Sequence, residues 1–256
     1  MELSKNRAQI LSTLANKKFR DKYGLFIAEG DKCVKELLGG FQLEYLISSP
    51  CWEEANQIVC SNYNEKYFTA KKEVIGKISS LSTPPDVIGV FRIPENSSDK
   101  LKLSPDKLYL MLDDIQDPGN LGTIIRTADW FGINTIIASR GTADVYNPKT
   151  VQSTMGSLKR VHIIYGNLED ILDNNQNLMV YGTLLNGQSI YDAQLSESGI
   201  IIMGNEGKGI GEKIRKRITI PLLIPPFNNS EHAESLNVAI ATGIILSCFR
   251  NNRLFK

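Results

Sequence analysis

The segment 119–132, GNLGTIIRTADWFG, places an asparagine, an arginine and several glycines directly behind an apolar run. An asparagine amide can hold a hydroxyl by donating and accepting, and a guanidinium offers a planar fork of donors that matches a phosphate or an oxyanion. Two further stretches carry residue types that a core does not need. GNEGKGIG (204–211) would let backbone N–H groups approach a ligand, and it brings Glu206 with it. IPPFNNSEHAESLNV (224–238) delivers Ser235 and Asn237 to the start of an apolar helix. Each stretch also has a purely structural reading. Arg126 is then a solvated helix charge, Asn120 and Ser235 are helix caps, and 204–211 is one of many glycine-rich connections. The glycine loop departs from the GxGxxG dinucleotide fingerprint, because Asn205 and Glu206 separate its first two glycines.

The elements that must position these residues follow from periodicity. The run 108–115 has the length and composition of a buried strand, and Leu121, Ile124, Ile125, Ala128 and Phe131 recur behind it at helical spacing. Asn120 is the expected N-cap of that helix and Gly132 its stop. Further strands are expected at TIIAS (135–139), VHIIY (161–165), LMVYGTLL (178–185), GIIIMGNE (199–206) and ITIPLLI (218–224). Helices are expected at NPKTVQSTMGSL with Asn147 as cap, near 168–172, at GIGEKIRKR, and from Ser235 onward. This alternation predicts an α/β fold with a mostly parallel sheet covered on both faces. Upstream, a short helix at Ala8, Ile10, Leu11 and Leu14 precedes strands at 25–30, 44–49 and 86–93. Helices at DKCVKELL, CWEEANQIV and EVIGKISSL complete a smaller α/β module. PENSSDKLKLSPDK (94–107) is polar and holds two prolines, which suits a linker. The expected organisation is a domain at 1–95, a linker at 96–107 and a second domain at 108–256. The last helix is apolar almost all round, so its faces must be covered either within one chain or by a second subunit.

Composition excludes several classes. Lys and Arg total 29 against 28 acidic residues, a net charge of +1, so no global positive field exists. Residues 1–35 are locally basic, which suits either a solvated face or an RNA surface. Four cysteines without a CxxC and two separated histidines give neither a disulfide framework nor a zinc site. No signal peptide or apolar run of membrane-spanning length is present, which makes a cytoplasmic protein the expectation.

Taken together, NLGTIIRTADWFG, IIMGNEGKGI and IP…SLNVAIATGI, in this order and each at a strand-to-helix junction, resemble the three motifs of the SpoU (TrmH-type) RNA ribose 2′-O-methyltransferases of the SPOUT superfamily. The resemblance covers 108–252. More loosely, LFIAEG, DKCVKELL and TPPDVIGVF make 1–95 similar to the small L30e-like substrate-binding domain that many members carry. The family implies a deep C-terminal trefoil knot, an exception to the rule against knotted chains. It also implies S-adenosylmethionine as cofactor, no metal, no membrane, and a homodimer that shares its RNA site between subunits. Ribosomal RNA is favoured over transfer RNA, with a catalytically silent RNA-binding relative as a further alternative. A nucleotide-dependent oxidoreductase would need the glycine fingerprint after its first strand, which DPGNLGT does not supply.

By this resemblance Asn120, Arg126, Glu206, Ser235 and Asn237 are the catalytic positions, and Thr183, Leu184, Gly204, Asn205, Ile224 and Leu236 the cofactor-binding ones. The reaction needs the ribose 2′-hydroxyl held in line with an activated methyl group while its proton is taken up. A resting neutral arginine would cost on the order of 8 kcal/mol at neutral pH. Arg126 is therefore expected to clamp the phosphate beside the target ribose and stabilise developing negative charge, oriented by Asn120, Ser235 and Asn237. The loop from Pro226 to Glu234 is longer than the family's usual one, and His232 within it is expected at the surface rather than as a general base.

Overall fold

A computed structural model describes residues 1–95, 101–228 and 233–251. The chain forms two compact units whose boundaries fall at Glu95/Asn96, Ala143/Asp144 and Lys159/Arg160, with Asp144–Lys159 belonging to the first unit.

The first unit begins with α1 (Lys5–Ser12) and α2 (Lys17–Tyr23), followed by β1 (Leu25–Glu29), α3 (Asp31–Leu37) and β2 (Leu43–Ser48). It continues through α4 (Pro50–Ala55), α5 (Gln57–Asn62), β3 (Tyr67–Thr69), α6 (Lys72–Ile78) and β4 (Val87–Arg92). The expected helix at CWEEANQIV is two helices, broken where Asn56 turns to φ −132°. The strands run in the order β1-β4-β2-β3, antiparallel at both β4 edges and parallel between β2 and β3. Leu11, Ile27, Ile47, Ile75, Ile88 and Val90 form the core on one face of this sheet.

Two buried charges in this unit are fully partnered. Arg20, counted with the surface basic residues on sequence, is 2% exposed. Its Nη1 donates to the carbonyls of Leu14 and Ala15, both at 2.8 Å, while Nε and Nη2 donate to Asp144 Oδ2 at 3.1 and 2.6 Å. Glu29 accepts from Ser80 N at 3.0 Å, from Ser80 Oγ at 2.6 Å and from Ser79 Oγ. Burial without such partners would cost several kcal/mol for each ion.

From Leu108 the chain runs β5 (Leu108–Leu112), α7 (Pro118–Trp130), β6 (Thr135–Ser139), α8 (Pro148–Thr154), β7 (His162–Gly166) and α9 (Leu168–Asp173). It then runs β8 (Val180–Ser189), β9 (Gly199–Met203), α10 (Glu212–Arg215), β10 (Ile220–Leu223) and α11 (Val238–Asn251). All of these except α8 belong to the second unit, where the sheet has the order β10-β8-β9-β5-β6-β7 and every described pairing is parallel. The central strands β5 and β9 are buried throughout, as a sheet covered on both faces requires. Part of the expected linker belongs to this core. Leu103 is buried, its N–H donates to Asn175 Oδ1 at 2.9 Å, and Leu101 packs against the same cluster. Residues 96–100 of that linker lie outside the described ones.

Sequential strands lie on opposite sides of β5: β6 and β7 one way, β9 and β8 the other. The chain turns outward at the carboxyl ends of β5 and β9, the place where open α/β sheets form a crevice.

Candidate active site

Asp113 and Asp114 end β5 with a sharp redirection, Asp114 sitting at φ +61°. Asp117 is the N-cap of α7, its Oδ1 accepting from Asn120 N at 2.8 Å, and Pro118 occupies the first turn. This corrects the expectation that Asn120 is the cap. A proline at the first helical position gives up no needed donor, so the helix starts three residues earlier and the Asn120 side chain is free for other partners. Gly132 stops the helix at φ +69°, and Ile133 N donates to Ala128 O at 2.8 Å.

The loop after β9 folds back on itself. Asn205 N donates to Gly209 O at 3.0 Å and Gly209 N to Asn205 O at 2.8 Å. Asn205 Oδ1 accepts from Gly207 N and Lys208 N, and its Nδ2 donates to Asp114 O at 2.8 Å. A Cβ on Gly204 would stand 2.5 Å from backbone atoms of Gly209 and Ile210, so only glycine permits this closure. Asp113 Oδ2 accepts from Gly211 N at 2.8 Å and ties the far end of the loop to β5. Burial pushes the Asp113 carboxyl above the usual carboxylate range, against the lowering effect of that N–H.

These supports aim Glu206 at α7 and α11. Asn120 Nδ2 donates to Glu206 Oε1 at 2.5 Å. Asn237 Nδ2 donates to Asn120 Oδ1 at 3.0 Å and to the same Glu206 oxygen at 3.2 Å. Asn237 Oδ1 meanwhile accepts from Ala239 N and Ile240 N, so this one residue caps α11 and joins the cluster. Three segments far apart in the chain thus meet through two amides and one carboxylate. Asn120 keeps one amide hydrogen unspent, and Glu206 is exposed with hydrogen-bonding capacity left over.

Arg126 lies six residues further along α7, about 9 Å of helical rise, on an exposed face. Among the described residues it makes no hydrogen bond or ion pair. Asn120 and Asn237 bind each other and Glu206 rather than orienting the guanidinium, which differs from the sequence expectation. Ser235 is exposed two residues before the α11 cap and is not part of the hydrogen-bonded cluster.

The expected cofactor-binding residues occupy the same end of the sheet. Gly182 pairs with Ile202 of β9 and with Pro221 of β10, but Leu222 pairs with Gln188, so residues 183–187 bulge from the ladder. Thr183 and Leu184 sit in that bulge, with Thr183 Oγ1 donating to Ile202 O at 3.2 Å. Such bulges re-aim side chains at strand ends next to functional sites. Ile224 follows β10 and is half-buried, whereas Leu236 is 47% exposed. His232 lies outside the described residues. Sequence reasoning missed Asp113 and Asp117; their signals were acids ending an apolar strand and an Asp-Pro pair opening a helix.

Helices α7 and α11 pack together, with Gly243 opposite Thr127, and leave the apolar side chains of Trp130 and Ile240 86% and 59% exposed. No described helix is long and apolar enough to cross a membrane, and no cluster of metal-ligating residues exists among the described residues.

Comparison with known proteins adds a family to this geometry. The SpoU rRNA Methylase family model matches residues 107–247, and the MRM3-like substrate binding domain model matches residues 5–89. The chain is 35% identical over 242 residues to the Bacillus subtilis 23S rRNA (guanosine(2553)-2'-O)-methyltransferase RlmP, covering 91% of each. It is 31% identical to the Neisseria meningitidis 23S rRNA (guanosine-2'-O-)-methyltransferase RlmB, over 77% of this chain and 80% of that one. Among solved structures, a putative RNA methyltransferase of the TrmH family from Porphyromonas gingivalis has a TM-score of 0.86 at 37% identity, covering 98% of this chain and 100% of that one. An AdoMet-bound rRNA methyltransferase from Sinorhizobium meliloti also has a TM-score of 0.86, at 30% identity, with 98% and 97% covered.

Proposed function

The chain belongs to the SpoU rRNA methylase family, and on that premise we propose that it transfers a methyl group from S-adenosylmethionine to a ribose 2′-hydroxyl of ribosomal RNA. The observation that carries the chemistry is the Asn120–Glu206–Asn237 cluster with its unspent capacity. A 2′-hydroxyl both donates and accepts. The remaining Asn120 N–H and the Glu206 carboxylate suit its two needs, and they hold it in one orientation. Arg126, which has no hydrogen bond or ion pair among the described residues, clamps the adjacent phosphate and offsets the negative charge that develops on the ribose oxygen. The proton passes to the Glu206 carboxylate or to the clamped phosphate, and the guanidinium stays charged.

Bound S-adenosylmethionine supplies the methyl group as an activated sulfonium, so no metal is needed to polarise it. Its binding residues in this reading are Gly204, Asn205, Ile224 and Leu236, with Thr183 and Leu184 beside the adenosine. The tight backbone closure at Gly204 and the bulge at 183–187 fit a ligand held largely by main-chain groups. The reading extends to a trefoil-knotted C-terminal region and to a homodimer that covers the exposed apolar side chains of Trp130 and Ile240. It makes 1–95 the RNA-binding domain and the enzyme cytoplasmic, where ribosomal RNA matures.

The test is methyl transfer from labelled S-adenosylmethionine to RNA from a strain lacking the gene, followed by mapping of alkali-resistant riboses. Label at one ribosomal RNA ribose is the expected result. Label in transfer RNA alone would move the substrate class, and no transfer to either would leave a silent relative.

A further inference from the structure

Helix α1 packs against α6, and both carry cations at the surface of the first unit. Lys5 on α1, Lys71 at the start of α6, and Lys72 and Lys77 on α6 are all exposed. None of their ammonium groups makes a hydrogen bond or ion pair among the described residues. The acids on these segments are Glu2 and Glu73 alone. Other surface cations of the unit are engaged: Lys35 pairs with Asp31 at 2.7 Å, Arg92 with Glu44 at 2.6 Å, and Lys66 Nζ donates to Leu43 O at 2.7 Å.

Arg7 adds a guanidinium that is held in place. It is half-buried, with Cζ 4.9 Å from the centre of the Tyr45 ring and 4.8 Å from that of Phe68, two rings that meet edge to face. Ring contacts hold a cation through the charge on the ring face and leave its N–H donors available. The Arg7 side chain makes no hydrogen bond or ion pair among the described residues, so a planar fork is positioned with its donors unspent.

We propose that the α1–α6 face of the first unit grips the phosphate backbone of the RNA beyond the methylated nucleotide, with Arg7 as a positioned fork and Lys5, Lys71, Lys72 and Lys77 as point-charge contacts. The proposal rests on the reading of 1–95 as the RNA-binding domain and names the surface which that domain uses. Phosphate is the group that a guanidinium fork and a row of ammoniums both recognise. Such contacts position an RNA without reading its sequence, and each neutralised phosphate releases counterions, so affinity falls as salt rises. An anionic membrane would need apolar side chains beside the cations, and Ile10 is the one large apolar residue left exposed on these two helices. A net charge of +1 for the whole chain conceals the face, because the balancing acids lie elsewhere.

The experiment uses the full chain and an RNA fragment spanning the mapped ribose. RNA affinity is measured over a series of salt concentrations, with methyl transfer and S-adenosylmethionine affinity in parallel. Lys71→Gln, Lys72→Gln and Lys77→Gln together should flatten the slope of log affinity against log salt by about 2 to 3, roughly 0.7–0.9 for each lost contact. The same variant should raise the RNA KM about tenfold at unchanged kcat and cofactor affinity. Arg7→Lys keeps a cation over the rings and loses the fork, so it should unfold like the wild type and bind RNA more weakly. Lys35→Gln with Arg92→Gln removes two paired cations from the same unit and should leave the slope as it is. An unchanged slope in the triple variant overturns the proposal, as does wild-type RNA affinity in Arg7→Lys. An equal loss in the Lys35 and Arg92 variant also overturns it, since net charge alone would then be at work. If Lys17→Gln, Lys18→Gln and Lys22→Gln flatten the slope instead, 1–95 still binds RNA and only this face is wrong. If none of these variants changes RNA affinity in a chain that methylates RNA, the domain reading falls with the proposal.

Discussion

Arg20 and Arg126 are both helical arginines, and their surroundings are opposite. Arg20 is buried with four donations to one carboxylate and two carbonyls, whereas Arg126 is exposed and makes none among the described residues. Glu29 and Glu206 repeat the contrast. Glu29 has both oxygens engaged by Ser79 and Ser80 in the first unit's interior, while a single Glu206 oxygen takes both described bonds at a solvent-facing site. A saturated charged group holds the chain in place. An unsaturated one on a well-supported element is available to a ligand, and the support is what makes it more than a solvated charge.

The contrast can be broken from either side. The largest expected effect is on stability: Arg20→Met leaves Asp144 and two carbonyls without their donor and should cost about 3–5 kcal/mol by denaturant unfolding. Next comes Arg126→Lys, which keeps the charge and loses the fork. Its unfolding curve should match the wild type, while methyl transfer falls roughly 10²- to 10³-fold, the scale of losing one donor to a developing oxyanion. Near-normal transfer by that variant would remove Arg126 from the mechanism. The smallest effect concerns Asp113. Burial raises its carboxyl, so the folded state holds the proton more tightly than the unfolded chain, and its contribution to stability declines as pH rises from the ordinary carboxylate range through that raised value. Asp113→Asn preserves an acceptor for Gly211 N and should melt slightly higher than the wild type at pH 7. The difference should vanish below about pH 4, where both side chains are neutral. A variant that melts lower at pH 7 would mean the charge itself holds the loop.

The parallel sheet was legible because its strands are unbroken apolar runs, as at Leu108–Leu112 and Gly199–Met203, between helices of clear period. The mixed sheet was less so. β3 is three residues long, and the break at Asn56 interrupts a run that reads as one helix. Arg20 could not be told from its basic neighbours, since its partner Asp144 is 124 residues away. For the same reason the sequence offered Asn120, Glu206 and Asn237 as candidates without showing that they bond to one another. The cap of α7 was misplaced although its signal was local. Asp117-Pro118 outranks Asn120 once the missing N–H of proline is considered.

The placement of Asp144–Lys159 with the first unit governs the order of events on the ribosome. All four strands of the first sheet have emerged once residue 92 is out, yet the guanidinium of Arg20 must wait for the carboxylate of Asp144, some fifty residues later. At ~5–20 residues per second that is an interval of a few seconds. During it, the nascent module carries an interior cation short of its counter-charge. The N-terminal unit therefore reaches its final form only after much of the second sheet's first half has been translated, and a gene cut at the apparent linker would part the first unit from its own segment Asp144–Lys159.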